Sequence, residues 1–268
     1  MTSSPKFPRL IQRLTKEIPS NHDNSYNLGQ KITWLALVDH GIRPCDPHTI
    51  SDKLQELTKL DEYQPKGEKL LCLRSRDKFT LLPSMKPGRP EEALERLIVH
   101  SNPEALFGQM PIRGGKESVD IVRLKNKVGT LIELKPWRSS NSPLYAILEG
   151  LKNLTYFNLL KNMGHHRCEN FEHVNLMVLA PVDYYRSYHL ISEHGRLNIH
   201  PHVKEYVKAV ASHFQTRIQF SGLNWKEAEL LNVCKEICPT PPKENVTISV
   251  SEYPRVEALL EKNWIKII

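Results

Sequence analysis

The sequence predicts an α/β protein in which a mixed β-sheet is flanked by helices and preceded by a small, mostly helical N-terminal region. Three observations carry that prediction. VDIVRL (119–124) and TLIELKPW (130–137) are rich in β-branched residues and flank KNKVG, a segment with turn chemistry, so they read as an antiparallel hairpin. HVNLMVLAPV (173–182) is almost continuously apolar, as expected of a central strand buried on both faces. Apolar stripes at helical spacing separate and follow these strands.

In chain order, residues 1–85 form the N-terminal region. KITWLALVDHG has a compact apolar run, TISDKLQELTKL repeats leucines at helical spacing, and KLLCLRSRDKFTLLPS reads as a short hairpin around SRDK. Proline and glycine in SMKPGRP mark a boundary near residue 86. Pro90 suits the first position of a helix whose Leu94, Leu97 and Ile98 share one stripe, and Asn102-Pro103 stops it. Ser142-Pro143 starts a second helix, with Leu144, Ile147, Leu148, Leu151 and Leu154 on its buried face and Met163-Gly164 at its end. VKEYVKAVASHF is a third amphipathic helix, and RIQFSGLNW an edge strand. The core thus runs from 86 to 222. Residues 223–268 form an extension, with the proline-rich CPTPPKEN and a short helix in YPRVEALLEKNW.

The composition, 40% apolar and 25% charged over 268 residues, is that of a globular chain. No apolar run approaches the length of a bilayer span, and MTSSPKFPRLIQRLTKEIPS mixes charge and proline where a signal peptide needs an apolar stretch. A cytoplasmic protein without a membrane partner is expected. The five cysteines are odd in number and form no Cys-x-x-Cys pair, which argues against a disulfide framework. Cys45 near His40 and His48, and Cys168 near His165 and His166, leave zinc conceivable but lack the usual ligand spacing. The formal charge of +7 favours polyanionic partners, a precondition for nucleic-acid binding rather than proof of it.

The chemistry concentrates in IELKPW. Side chains alternate along a strand, so Glu133 and Lys135 share one face while Ile132 and Leu134 anchor the other. This is the only Glu-x-Lys in the chain. If Asn126-Lys127 is a two-residue turn, Asp120 lies opposite Glu133; a four-residue loop would set it opposite Lys135. Either register brings Asp120, Glu133 and Lys135 to one side of the sheet. Two carboxylates beside an ammonium suit a hard divalent cation, magnesium first and manganese as a substitute, bound by Asp120 and Glu133, with Lys135 steadying a water or a phosphoryl oxygen. The plain alternative is a surface charge ladder, against which stands the apolar character of the surrounding strands.

This order of helix, strand carboxylate, Glu-x-Lys strand and helix resembles the PD-(D/E)xK, or restriction-endonuclease-like, nuclease superfamily over about residues 86–220. Val119 stands where the family name places proline. The resemblance implies a restriction-endonuclease-like sheet and magnesium-dependent phosphodiester hydrolysis, in DNA ahead of RNA, in a restriction, mobile-element or phage-defence setting. It also implies an acidic residue from the first core helix, for which Glu91 and Glu95 are preferred over Glu92. The helix after Glu-x-Lys should supply a polar residue, Tyr145 or Glu149. Arg113, Lys116 and Arg123, near the hairpin, are candidate phosphate contacts, and Trp137 and Arg138 candidates to stack on or clamp the nucleic acid. The competing reading is a nuclease-like module that binds nucleic acid or protein without cutting. An oligomer or protein partner fits either reading.

Overall fold

The computed structural model describes residues 9–73, 90–101, 105–113, 117–137, 139–192, 194–226 and 253–268. The hairpin at 69–84, the boundary near 86, Lys116 and Arg138 therefore fall wholly or largely outside the described residues. Among the described residues, helices α1 (Leu10–Glu17), α2 (Lys31–His40), α3 (Pro47–Thr58) and α4 (Pro90–Ser101) precede strands β1 (Leu106–Arg113), β2 (Glu117–Lys125) and β3 (Val128–Leu134). Then follow α5 (Pro143–Asn162), β4 (His173–Pro181), α6 (Val182–Ser187), α7 (Pro201–His213), β5 (Ile218–Leu223), α8 (Tyr253–Asn263) and β6 (Trp264–Lys266). The strands lie in sequence order across one six-stranded mixed sheet, with β3, β4 and β5 parallel and the other neighbours antiparallel.

Helices cover both faces. On one, Leu94, Leu97 and Ile98 of α4 and Val256 and Leu260 of α8 pack with Ile121, Ile132, Leu134, Met177 and Leu179. On the other, Leu131, Val178 and Phe220 join the leucines of α5 and apolar residues of α1, α2, α3 and α7 in a single cluster. The N-terminal helices thus share a core with α5 and the sheet. Trp34 of α2 is fully buried there, its indole N–H donating to the Tyr188 carbonyl (3.1 Å) and its ring lying edge-on to Phe220. No helix among the described residues is long and apolar enough to cross a membrane.

The hairpin follows from its turn residues. Asn126 and Lys127 both adopt left-handed φ, 51° and 58°, as the twist-matched two-residue turn requires, and Lys125 pairs with Val128. Of the two registers open to the sequence, this is the one whose continuation would set Asp120 opposite Glu133. Gly129 then permits a close approach that no other residue would: a Cβ there would lie 2.5 Å from Cδ1 of buried Phe171, which packs edge-on against Phe157. Gly129→Val is therefore expected to cost about 1–3 kcal/mol by overpacking, measured as a lower denaturation midpoint at unchanged slope. A neutral result would mean that the ring moves freely.

Three elements differ from the sequence reading. LFGQMPIR is strand β1 although Gly108 and Pro111 weaken its strand signal; it lies at the sheet edge, where a missing N–H is tolerated, and its register shifts between Pro111 and Arg113. Strand β5 is not an edge strand, because β6 pairs outside it. That three-residue strand follows α8 directly, so the extension contributes to the sheet. Helix α6, only six residues long, was too short to show a stripe.

Candidate active site

The recorded β2–β3 ladder ends at Ile121–Ile132, and beyond it Asp120 places its side chain where a backbone partner would be, Oδ2 accepting the Leu134 N–H at 2.9 Å. Glu133 is buried on the face covered by α5, where Oε1 accepts a hydrogen bond from the Asn153 carboxamide. Lys135 is buried too, its Nζ 2.6 Å from Glu149 Oε2. Helix α5 approaches closely at Gly150, where an added Cβ would lie 3.8 Å from Glu133 Cγ.

These groups open onto a cavity of about 320 Å³ whose lining includes Glu91, Asp120, Glu133, Lys135 and Glu149. Glu117, Lys152 and Arg9 also line it, and Ile11 is the one apolar side chain among its lining residues. Two larger clefts, of about 520 and 530 Å³, touch neither the hairpin nor α4. The cavity volume sits at the small end of ligand pockets and suits a phosphate group better than a large apolar ligand.

The electrostatics are those of carboxylates crowded without enough positive charge. Burial and then Asp120 push Glu91 up to about 7 and Glu95 up to about 8. Burial also raises Asp120, against the pull of Lys135 and the Leu134 N–H. Glu133 stands well above the ordinary carboxylate range through burial and the nearby Asp120 and Glu149. Burial lowers Lys135, but Glu149, Glu133 and Asp120 outweigh it and hold the ammonium charged.

Of the sequence-derived candidates, Asp120, Glu133, Lys135 and Glu91 meet in the cavity, together with Glu149. Glu95 lies one turn beyond Glu91, buried, taking a long 3.5 Å hydrogen bond from Gln109 at Oε2 while Oε1 has no hydrogen-bond partner among the described residues. Tyr145 is absent from the lining; its ring packs beside Gly29, and its hydroxyl is pushed up to about 12 by burial and Glu149.

The proposed nucleic-acid contacts fare unevenly. Arg113 is buried, its guanidinium donating to the Glu62 carbonyl and to Glu117 and lying 4.8 Å from the Tyr63 ring centre, so it is engaged by the protein rather than presented to phosphate. Trp137 is buried as well, donating to the Trp225 carbonyl at 2.7 Å within the α4–α8 core, and it is not among the residues lining the cavity. Arg123 is exposed, but it is not among the residues lining the cavity.

Sequence reasoning passed over Lys152 and Asn153. Their signal was present: both are polar and stand three and four residues beyond Glu149, hence on the same side of α5, and the structure buries both. Arg9 and Glu117 carried no such signal, because their neighbours are distant in sequence.

Asp120, Glu133 and Glu91 offer oxygen donors around one cavity, and their raised proton affinity marks a cluster that added positive charge would relieve. This donor set fits magnesium. Among the described residues no three His, Cys, Asp or Glu side chains already form a cation cage, around Cys45 or Cys168 any more than at the hairpin. A magnesium ion would accordingly rely on one or two carboxylates, with water and phosphate oxygens completing its shell.

No family model matches the chain, and no curated protein or solved structure matches it significantly.

Proposed function

We propose that this chain is a magnesium-dependent nuclease of the PD-(D/E)xK type that hydrolyses phosphodiester bonds, in DNA ahead of RNA. The observation that carries the reading is the convergence of Asp120, Glu133 and Lys135 at the open end of the β2–β3 hairpin, with Glu91 of the preceding helix in the same cavity. The order α4, β1, β2, β3, α5, β4 supports it, since the resemblance implies an acidic residue on the second of these strands and Glu-x-Lys on the third.

Asp120 and Glu133 would hold the metal, with Glu91 beside them. A bound magnesium ion supplies Lewis acidity toward a phosphoryl oxygen and a more acidic attacking water. The protein's own part is to fix donors and exclude solvent. Asn153 orients the Glu133 carboxylate, and the Leu134 N–H orients Asp120. Glu149 holds Lys135 charged at the mouth of the hairpin, where its remaining N–H groups can donate to a phosphoryl oxygen or position water.

The first test is cleavage of linear DNA, circular DNA and RNA with magnesium or manganese, read beside thermal unfolding with and without the ion. Metal-dependent cleavage is expected, with a stabilisation of about 2.7 kcal/mol at a hundredfold excess over Kd. Nucleic-acid binding that persists without cleavage and without any metal-dependent shift would favour the non-catalytic module.

A further inference from the structure

A second buried lysine faces the same cavity. Lys152 of α5 has a side chain 7% exposed, and its Nζ lies 3.0 Å from Oε2 of Glu117, whose side chain is 2% exposed. That approach is off the hydrogen-bonding direction, so Glu117 Oε2 has no hydrogen bond among the described residues, and none is recorded from Lys152. Glu117 does not depend on this lysine for company: Oε1 also takes the Leu10 N–H at 3.2 Å and Arg113 at 3.4 Å. Two cations and an amide thus serve one carboxylate, and the cation nearest the cavity has donors to spare. Lys152 is also near enough to act electrostatically on both Asp120 and Glu133.

Resting on the nuclease reading, we propose that Lys152 is a second phosphate-contacting cation of the site, held in place by Glu117 and donating to a non-bridging oxygen of the scissile phosphodiester. Lys135, which directly follows β3, and Lys152 of α5 come from different layers, and each is paired to a glutamate on the other layer. Each ammonium is therefore fixed across the sheet–helix junction rather than along one segment. A phosphate seated between them would meet donors from two directions, as developing charge on two oxygens requires. No bond to Lys152 forms or breaks; its contribution is electrostatic.

The test uses the full chain. Single-turnover cleavage is measured in magnesium, and affinity for a short DNA duplex in calcium, for wild type, Lys152→Met, Lys152→Arg, Glu117→Gln and the Glu117→Gln/Lys152→Met double variant. Lys152→Met should lower the cleavage rate about 100-fold, as loss of one transition-state donor does. Lys152→Arg should recover part of that loss, and Glu117→Gln, which leaves the ammonium in place, should cost under about tenfold. The double variant removes both members of the Lys152–Glu117 pair and leaves Arg113 its bond to the Glu62 carbonyl, so it separates loss of the ammonium from the cost of a carboxylate left without it; it should stay as slow as Lys152→Met. Lys152→Met cleaving within about threefold of wild type, or the double variant regaining wild-type cleavage, would show that Lys152 serves only the fold. Those results leave the nuclease reading standing, because wild type still cuts. A wild-type chain that neither cuts nor binds the duplex would overturn both.

Discussion

Glu133→Ala and Lys135→Ala are each expected to lower metal-dependent cleavage by roughly a thousandfold, about 4 kcal/mol of transition-state stabilisation, without unfolding the chain. Glu133→Ala removes one of the two carboxylates proposed to hold magnesium and frees Asn153 from its acceptor. Lys135→Ala removes the ammonium that Glu149, Glu133 and Asp120 keep charged, and leaves those carboxylates facing one another with less opposition. Arg186→Ala is the control, since its pair with Asp183 is exposed on α6 and such pairs contribute little. Single-turnover rates at saturating metal provide the measurement. Cleavage that survives both substitutions would come from another site or a contaminant, and the assignment of this hairpin would fall.

The metal-free protein is expected to lose stability as pH rises from about 5 to about 8, the reverse of what carboxylates bound to basic partners produce. Glu91 and Glu95 have folded-state values of about 7 and about 8, both raised chiefly by burial and then by Asp120. An unfolded glutamate releases its proton near 4.5, so between that value and 7–8 the folded chain binds more protons than the unfolded one. Stability therefore falls with rising pH through this window and levels off above it. The two groups together contribute a loss on the order of several kcal/mol at most. Chemical denaturation in EDTA across the window reads the slope, and Glu95→Gln should flatten its upper part. Magnesium should reduce the slope, because positive charge favours the ionised carboxylates. A stability flat or rising with pH, unchanged by Glu95→Gln, would contradict the crowding described for these carboxylates.

Local physics made the hairpin and its cluster of charges legible. Period-two alternation fixed which side Glu133 and Lys135 share, and turn chemistry at Asn126-Lys127 narrowed Asp120 to two positions, of which the structure takes the first. The helical stripes of α4, α5 and α7 were equally readable, because each repeats over several turns. Strand β1 escaped because an edge strand tolerates a proline and a glycine that an interior strand would not. The inward placement of Arg113 and Trp137 was not legible for a related reason: a charged or aromatic residue beside a motif says nothing about which way it turns. The Glu62 carbonyl, Glu117 and the Trp225 carbonyl that claim them are far away in sequence or hidden behind a chain reversal. Lys152 and Glu117 show the same limit, since nothing near either residue announces the other.

The contact between Leu10 and Glu117 spans 107 positions, and Glu117 in turn touches a lysine on α5. The chamber around the hairpin is thus walled by a segment made early and a helix made much later. A ribosome-bound chain that has just emitted Glu133 and Lys135 holds the charged groups but not their enclosure, and water screens them from one another. Activity of the proposed nuclease site would therefore depend on the docking of α5 and the N-terminal segment, so an unfinished or partly melted copy would do little harm to nucleic acid around it.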